Sequence, residues 1–166
     1  MKLLVAGIGN IFLSDDGFGP EVLARLRGHP VPADVEVTDY GIRGVHLAYR
    51  LLDGVGTLVF VDAAPHGKAP GTVSLLEVDP AELAQLGVAA AEGSSPPVDA
   101  HGMEPVSVLR MLSSLGGTVD RVLVVACEPK VVEEGLGLSP EVEAAVPAAV
   151  ALIQELLANE LTEVST

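Results

Sequence analysis

Two carboxylates, Asp15 and Asp16, follow soon after an apolar run from Leu3 to Ile8, and a third, Asp62, ends another run from Thr57 to Val61. An aspartate just ahead of a helix accepts backbone N–H bonds and complements the helix dipole. One carboxylate suffices for that task, so the pair leaves one over. The same dipole keeps the remaining carboxylate ionised, as a metal ligand must be. Asp62 holds a position where turn or capping roles and functional roles are equally common. Together these residues predict an acidic pocket where two strands end, built around Asp16 and Asp62.

Other chemistries fit less well. Gly7-Ile8-Gly9 follows a strand as a dinucleotide-binding turn does, but Phe12 stands where that fingerprint needs its third glycine. Carboxylates at the start of the next helix would also repel a pyrophosphate. The chain has no Walker pattern, nucleophile elbow, His-Glu-x-x-His or paired Asp-Thr-Gly. Cys127 ends an apolar strand and reads better as a small buried hydrophobe than as a nucleophile. His101, in Asp99-Ala100-His101-Gly102-Met103-Glu104-Pro105, reads on its own as solvated loop surface. His29, His46 and His66 read the same way.

These side chains must be positioned by a core of unusual composition. Of 166 residues, 49% are apolar but only 3% aromatic, so Val, Leu, Ile and Ala have to fill the interior. That palette suits buried strands covered by helices. Leu3–Ile8, Val35–Asp39, Thr57–Val61, Thr72–Val78 and Arg121–Cys127 read as strands. Helices are predicted where Phe18, Val22, Leu23 and Leu26 recur, over 44–53 with Val45, Ala48 and Leu52 on one face, and around Val108, Leu112 and Leu115. Asp79-Pro80-Ala81-Glu82 opens a short helix closing near Gly87. Ser139-Pro140-Glu141 opens the last helix, striped by Val142, Val146, Val150, Ile153 and Leu157 and expected to kink at Pro147. Residues 90–100 are the least ordered stretch.

Strands alternating with helices predict a three-layer α/β/α domain with a mostly parallel, roughly five-stranded twisted sheet. A single domain over 1–158 and a frayed tail over 159–166 are expected. In such sheets ligands sit beyond the carboxyl ends of the strands, where Gly9-Asn10 and Asp62 are delivered. The formal net charge of -14 argues against nucleic acid and anionic membrane surfaces as partners. It fits a basic protein partner or a cation, and it equally serves solubility alone. One cysteine, no signal-peptide pattern and no bilayer-length apolar stretch predict a cytoplasmic protein.

Taken in order, Gly7-Ile8-Gly9-Asn10, Asp15-Asp16-Gly17-Phe18-Gly19, Asp39-Tyr40-Gly41, Val61-Asp62-Ala63, His101-Gly102-Met103 and Gly135-Leu136-Gly137-Leu138-Ser139-Pro140-Glu141-Val142 resemble the hydrogenase maturation endopeptidases. The resemblance spans nearly the whole chain and rests on order and spacing. It implies an endopeptidase that removes a C-terminal extension from the nickel–iron hydrogenase large-subunit precursor after nickel insertion. It also implies that Asp16, Asp62 and His101 are the site residues, catalytic and metal-contacting. The nickel would be supplied by the substrate, with no resident cofactor. Tyr40 departs from the small residue usual between the aspartate and the glycine.

Two carboxylates and an imidazole suit a divalent first-row ion and leave positions open for the substrate or water. Residues 90–100 are expected to order on the substrate. A non-catalytic nickel metallochaperone using the same ligands is the alternative. The oligomeric state is open, a monomer included.

Overall fold

The computed structural model describes residues 3–82 and 105–164, with side chains described as far as residue 159. The expected helix end near Gly87, the stretch 90–100 and His101 lie outside the described residues.

The described strands form one sheet in the order β2-β1-β3-β5-β4: β1 (Leu3–Ile8), β2 (Val35–Gly41), β3 (Thr57–Ala63), β4 (Val73–Val78) and β5 (Arg121–Cys127). Neighbouring strands from β2 to β5 pair in parallel, and β4 closes the edge antiparallel to β5. Every residue of β1 is buried, and in β3 all but the last are. A parallel strand covered on both faces needs such a continuous apolar run. β4 is half exposed, as an edge can be.

Helices cover both faces: α1 (Phe18–Leu26), α2 (Gly44–Leu51), α3 (Pro105–Ser114) and α4 (Pro140–Val164). Alternation along the strands sorts the core into two layers. Leu3, Val5, Val59, Val61, Leu123 and Val125 pack with α1 and α4. Leu4, Ala6, Leu58, Phe60, Val122 and Val124 pack with α2 and α3. This is the expected three-layer, mostly parallel architecture. Phe18, Val22, Leu23 and Leu26 of α1 are all buried, as is the whole predicted stripe of α4. Each such side chain contributes about 1.5–3 kcal/mol. The last helix continues through Pro147 and on to Val164.

Three local details differ from expectation. In α2 the buried stripe is Gly44, Leu47, Ala48 and Leu51, while Val45 and Leu52 are exposed. Val45 and Leu52 flank the stripe that the sheet covers, so spacing alone picked a neighbouring face. Leu115 follows α3 and is exposed, and Leu109 takes its place in the core. Finally, β3 runs two residues past Val61, so Asp62 is a strand residue paired with Ala126 and not a strand terminus. Asp79 caps as expected: its Oδ1 accepts the N–H groups of Ala81 at 2.9 Å and Glu82 at 3.4 Å.

Candidate active site

The chain leaves β1 for α1 on one face and returns to β3 from α2 on the other. The β1–β3 boundary is therefore the topological switch point, where the carboxyl ends of neighbouring strands open a crevice. Asp16 follows β1 and Asp62 lies in the last turn of pleat of β3. The sequence thus brings both predicted carboxylates to the one crevice that the topology creates.

Asp15 and Asp16 occupy a 3-10 turn, Ser14–Gly17, that leads into α1. Two glycines seat this turn. Gly9 has a φ of 140°, and a Cβ there would overlap the Asp16 carbonyl oxygen. Gly19 presses the start of α1 onto the carbonyls of Ile8 and Val61, where a Cβ would overlap both. The turn bearing Asp16 is thus fixed directly against the strand end bearing Asp62. The N–H of Asn10 donates to Asp16 Oδ2 at 2.8 Å. Asp62 is only 7% exposed, a burial that an aspartate tolerates when it is partnered or functional.

Asp15 has a different role from its neighbour. It is fully buried and caps the loop that follows β5, not α1, whose N-terminus has no side-chain cap. Its Oδ2 accepts the N–H groups of Lys130 and Val131, both at 2.8 Å, and the Ser139 hydroxyl at 2.9 Å. Its Oδ1 accepts the Ser139 N–H at 2.6 Å. Burial raises the pKa of this carboxyl, but the donors from Val131, Ser139 and Lys130 outweigh it and leave the net shift downward. Asp15 is therefore held ionised and ties the 3-10 turn to the start of α4.

Asp39 and Tyr40 border the crevice without reaching a comparable arrangement. Asp39 Oδ1 accepts the Gly41 N–H at 2.8 Å, a local turn contact. Tyr40 is buried in the layer of α2 and α3, so its bulk fills core. Cys127 is fully buried, and burial, with Asp15 and Glu128 nearby, pushes its thiol up to about 11. That matches the reading as a small hydrophobe.

His66 is not the surface residue its sequence context implied. Its Nδ1 lies 2.8 Å from the Ala64 carbonyl and 3.0 Å from Glu128 Oε2, and its Nε2 lies 3.1 Å from Ser74 Oγ. The His66 N–H also donates to Glu128 Oε2 at 2.6 Å. Ser74 and Asp62 both register with Ala126, so this network shares a row of the sheet with Asp62. The available signal was position, four residues after Asp62; its partners are remote in sequence. Among the described residues no group of three His, Cys, Asp or Glu side chains is gathered as a metal-ligand set. A cavity of about 390 Å³ lined by Asp79, Leu109, Leu112, Gly117 and Asp120 lies by the amino end of β5, away from the carboxylates.

The fold is a three-layer α/β domain that sets the turn bearing Asp16 against the β3 end bearing Asp62 at its switch point. A family model described as "Hydrogenase maturation protease" matches residues 20–156. The hydrogenase 2 maturation protease of Escherichia coli is 29% identical, over 88% of this chain and 84% of that protein. The solved Escherichia coli hydrogenase maturating endopeptidase HybD superposes with a TM-score of 0.78 at 27% identity, covering 96% of this chain and 94% of that one. A hydrogenase 2 maturation peptidase from a Thaumarchaeota archaeon gives 0.70 at 32% identity, covering 95% and 99%. The chain belongs to the hydrogenase maturation protease family, whose members are endopeptidases.

Proposed function

We propose that this protein removes the C-terminal extension of a nickel–iron hydrogenase large-subunit precursor in the cytoplasm, after nickel has been inserted. The observation that carries this reading is the convergence of Asp16 and Asp62 at the switch-point crevice of a maturation-protease fold. No helix among the described residues is long and apolar enough to cross a membrane.

In this reading Asp16, Asp62 and His101 contact nickel that the precursor already holds, and the enzyme needs no metal of its own. The substrate's ion polarises the scissile carbonyl. A carboxylate, Asp16 or Asp62, accepts a proton from the attacking water and returns it to the leaving amine. The buried setting of Asp62 strengthens its electrostatic interaction with an incoming cation. Asp15 stays outside this chemistry, because its oxygens are committed to backbone and hydroxyl donors.

The test is a mass measurement on nickel-loaded and nickel-free precursor incubated with the protein. Release of the extension from the loaded form alone is the expected result. Equal cleavage of both would overturn the reading of nickel. Tight nickel binding by the free protein, with no peptide released, would establish a metallochaperone instead.

A further inference from the structure

Of the large apolar side chains left in solvent among the described residues, five stand at the edge that carries the carboxylates, including the two most exposed. Phe12 is 62% exposed and Leu136 76%, and Ile11, Ile42 and Val132 are exposed too. All five belong to the loops that follow β1, β2 and β5, the same carboxyl edge as Asp16 and Asp62. The chain has three Phe and no Trp, and the other two Phe residues are fully buried. Unlike the exposed Tyr49 of α2, Phe12 has no hydroxyl for water to bond, so its exposure beside the carboxylates points to a contact made with something else.

These loops are held in place. The Gly135 N–H donates to the Phe12 carbonyl at 2.9 Å, and the Ser14 N–H donates to the Gly135 carbonyl at 2.9 Å. Ser14 Oγ donates to the Glu133 carbonyl at 2.8 Å. The Asp15 N–H donates to the Val131 carbonyl at 3.0 Å, and the Asp15 carboxylate receives the Val131 N–H in return. Phe12 and Leu136 are therefore presented side by side from one strapped pair of loops. A preformed patch loses little entropy when it is covered.

We infer that this rim is the surface on which the precursor docks, and that it takes an apolar face of the large subunit flanked by Lys or Arg. The charge preference follows from Glu133 and Glu134, exposed within the same loop, and from the net charge of -14. Opposite charge on the partner steers encounter, while the apolar anchors set affinity. The inference rests on the function proposed above and adds to it the means of substrate capture. The rim supplies affinity and the carboxylates supply the chemistry, so the two are separable.

The experiment compares wild type, the double variant Phe12→Ser/Leu136→Ser and the charge variant Glu133→Lys/Glu134→Lys. Binding of purified nickel-loaded precursor is read by calorimetry, and cleavage by mass. Both variants alter exposed side chains, and equal melting temperatures verify their fold. The expected result for the double variant is a KM and a Kd raised about tenfold or more, with kcat within twofold of wild type. The charge variant is expected to lose on-rate and salt dependence. Unchanged kcat/KM in the double variant, with an active wild type, would overturn the inference while sparing the peptidase reading. Binding without cleavage by wild type would overturn the peptidase reading while leaving the rim testable by Kd. A dimer of wild type that the double variant dissolves would assign the rim to self-association and overturn the inference.

Discussion

The backbone N–H of Asn10 donates to Oδ2 of Asp16 at 2.8 Å, so the residue that ends the first strand's glycine turn also aims the carboxylate that follows it. A bond of this kind orients the side chain. Under the proposed function, Asp16→Asn and Asp62→Asn should each lower precursor cleavage by about 100-fold or more, since each would remove an anionic contact for the substrate's ion and one of them the proton acceptor. Mass spectrometry gives the rate, and circular dichroism should show both variants folded.

Asp15→Ala should leave the donors of Lys130, Val131 and Ser139 without their acceptor. The expected cost is about 3 kcal/mol or more, read from urea unfolding. The carboxyl's pKa is lower in the folded state than in the unfolded chain. Its stabilising contribution is therefore complete above the unfolded value, near 4, and is lost as pH falls through the folded value. Unfolding curves taken from pH 6 downward should lose stability below about pH 4, and Asp15→Asn should lose less over that range.

Gly9→Ala and Gly19→Ala should each destabilise by about 1–3 kcal/mol and cut activity, because a methyl group meets a carbonyl oxygen at both positions. Gly28→Ala is the matched control. No atom lies within 4 Å of a Cβ there, so the change should be neutral or stabilise by up to about 1 kcal/mol. Thermal melts of the three variants decide the point.

Cys127 should resist iodoacetamide at pH 8 in the native protein and react fully in urea, because its thiol is buried and titrates at about 11. Cys127→Ala should keep its cleavage rate. His66→Ala should cost about 1–2 kcal/mol in a urea melt, since it removes the ring's contacts with Glu128, Ala64 and Ser74 and leaves Glu128 only the backbone N–H of residue 66 from this side, while Ser74→Ala should cost less.

The limits of β1 and β5 could be read from sequence to the residue, because strands covered on both faces show as unbroken apolar runs bounded by polar or glycine residues. The stripe of α4 was legible for a similar reason, its period being long enough to fix one face. In α2 the helix is short and Val45, Leu47, Leu51 and Leu52 compete for the stripe, so spacing favours Val45 and Leu52 where the sheet covers Leu47 and Leu51. Asp16 and Asp62 could be singled out as candidates, the first as one of two carboxylates ahead of a helix and the second as the polar residue that follows an apolar run. The separate task of Asp15 could not, since its donors lie 115 to 124 residues away. His66 escaped for the same reason, with Glu128 62 residues distant.

The link from Asp15 to Ser139 also has a consequence for synthesis. A ribosome delivers the chain from its amino end, and the first loop emerges long before its anchor. Until residues 130–139 have left the exit tunnel, the Asp15 carboxylate lacks its full set of donors. A nascent chain that stops short of Lys130 therefore carries Asp16 and Asp62 without the tie between the first loop and the segment after β5.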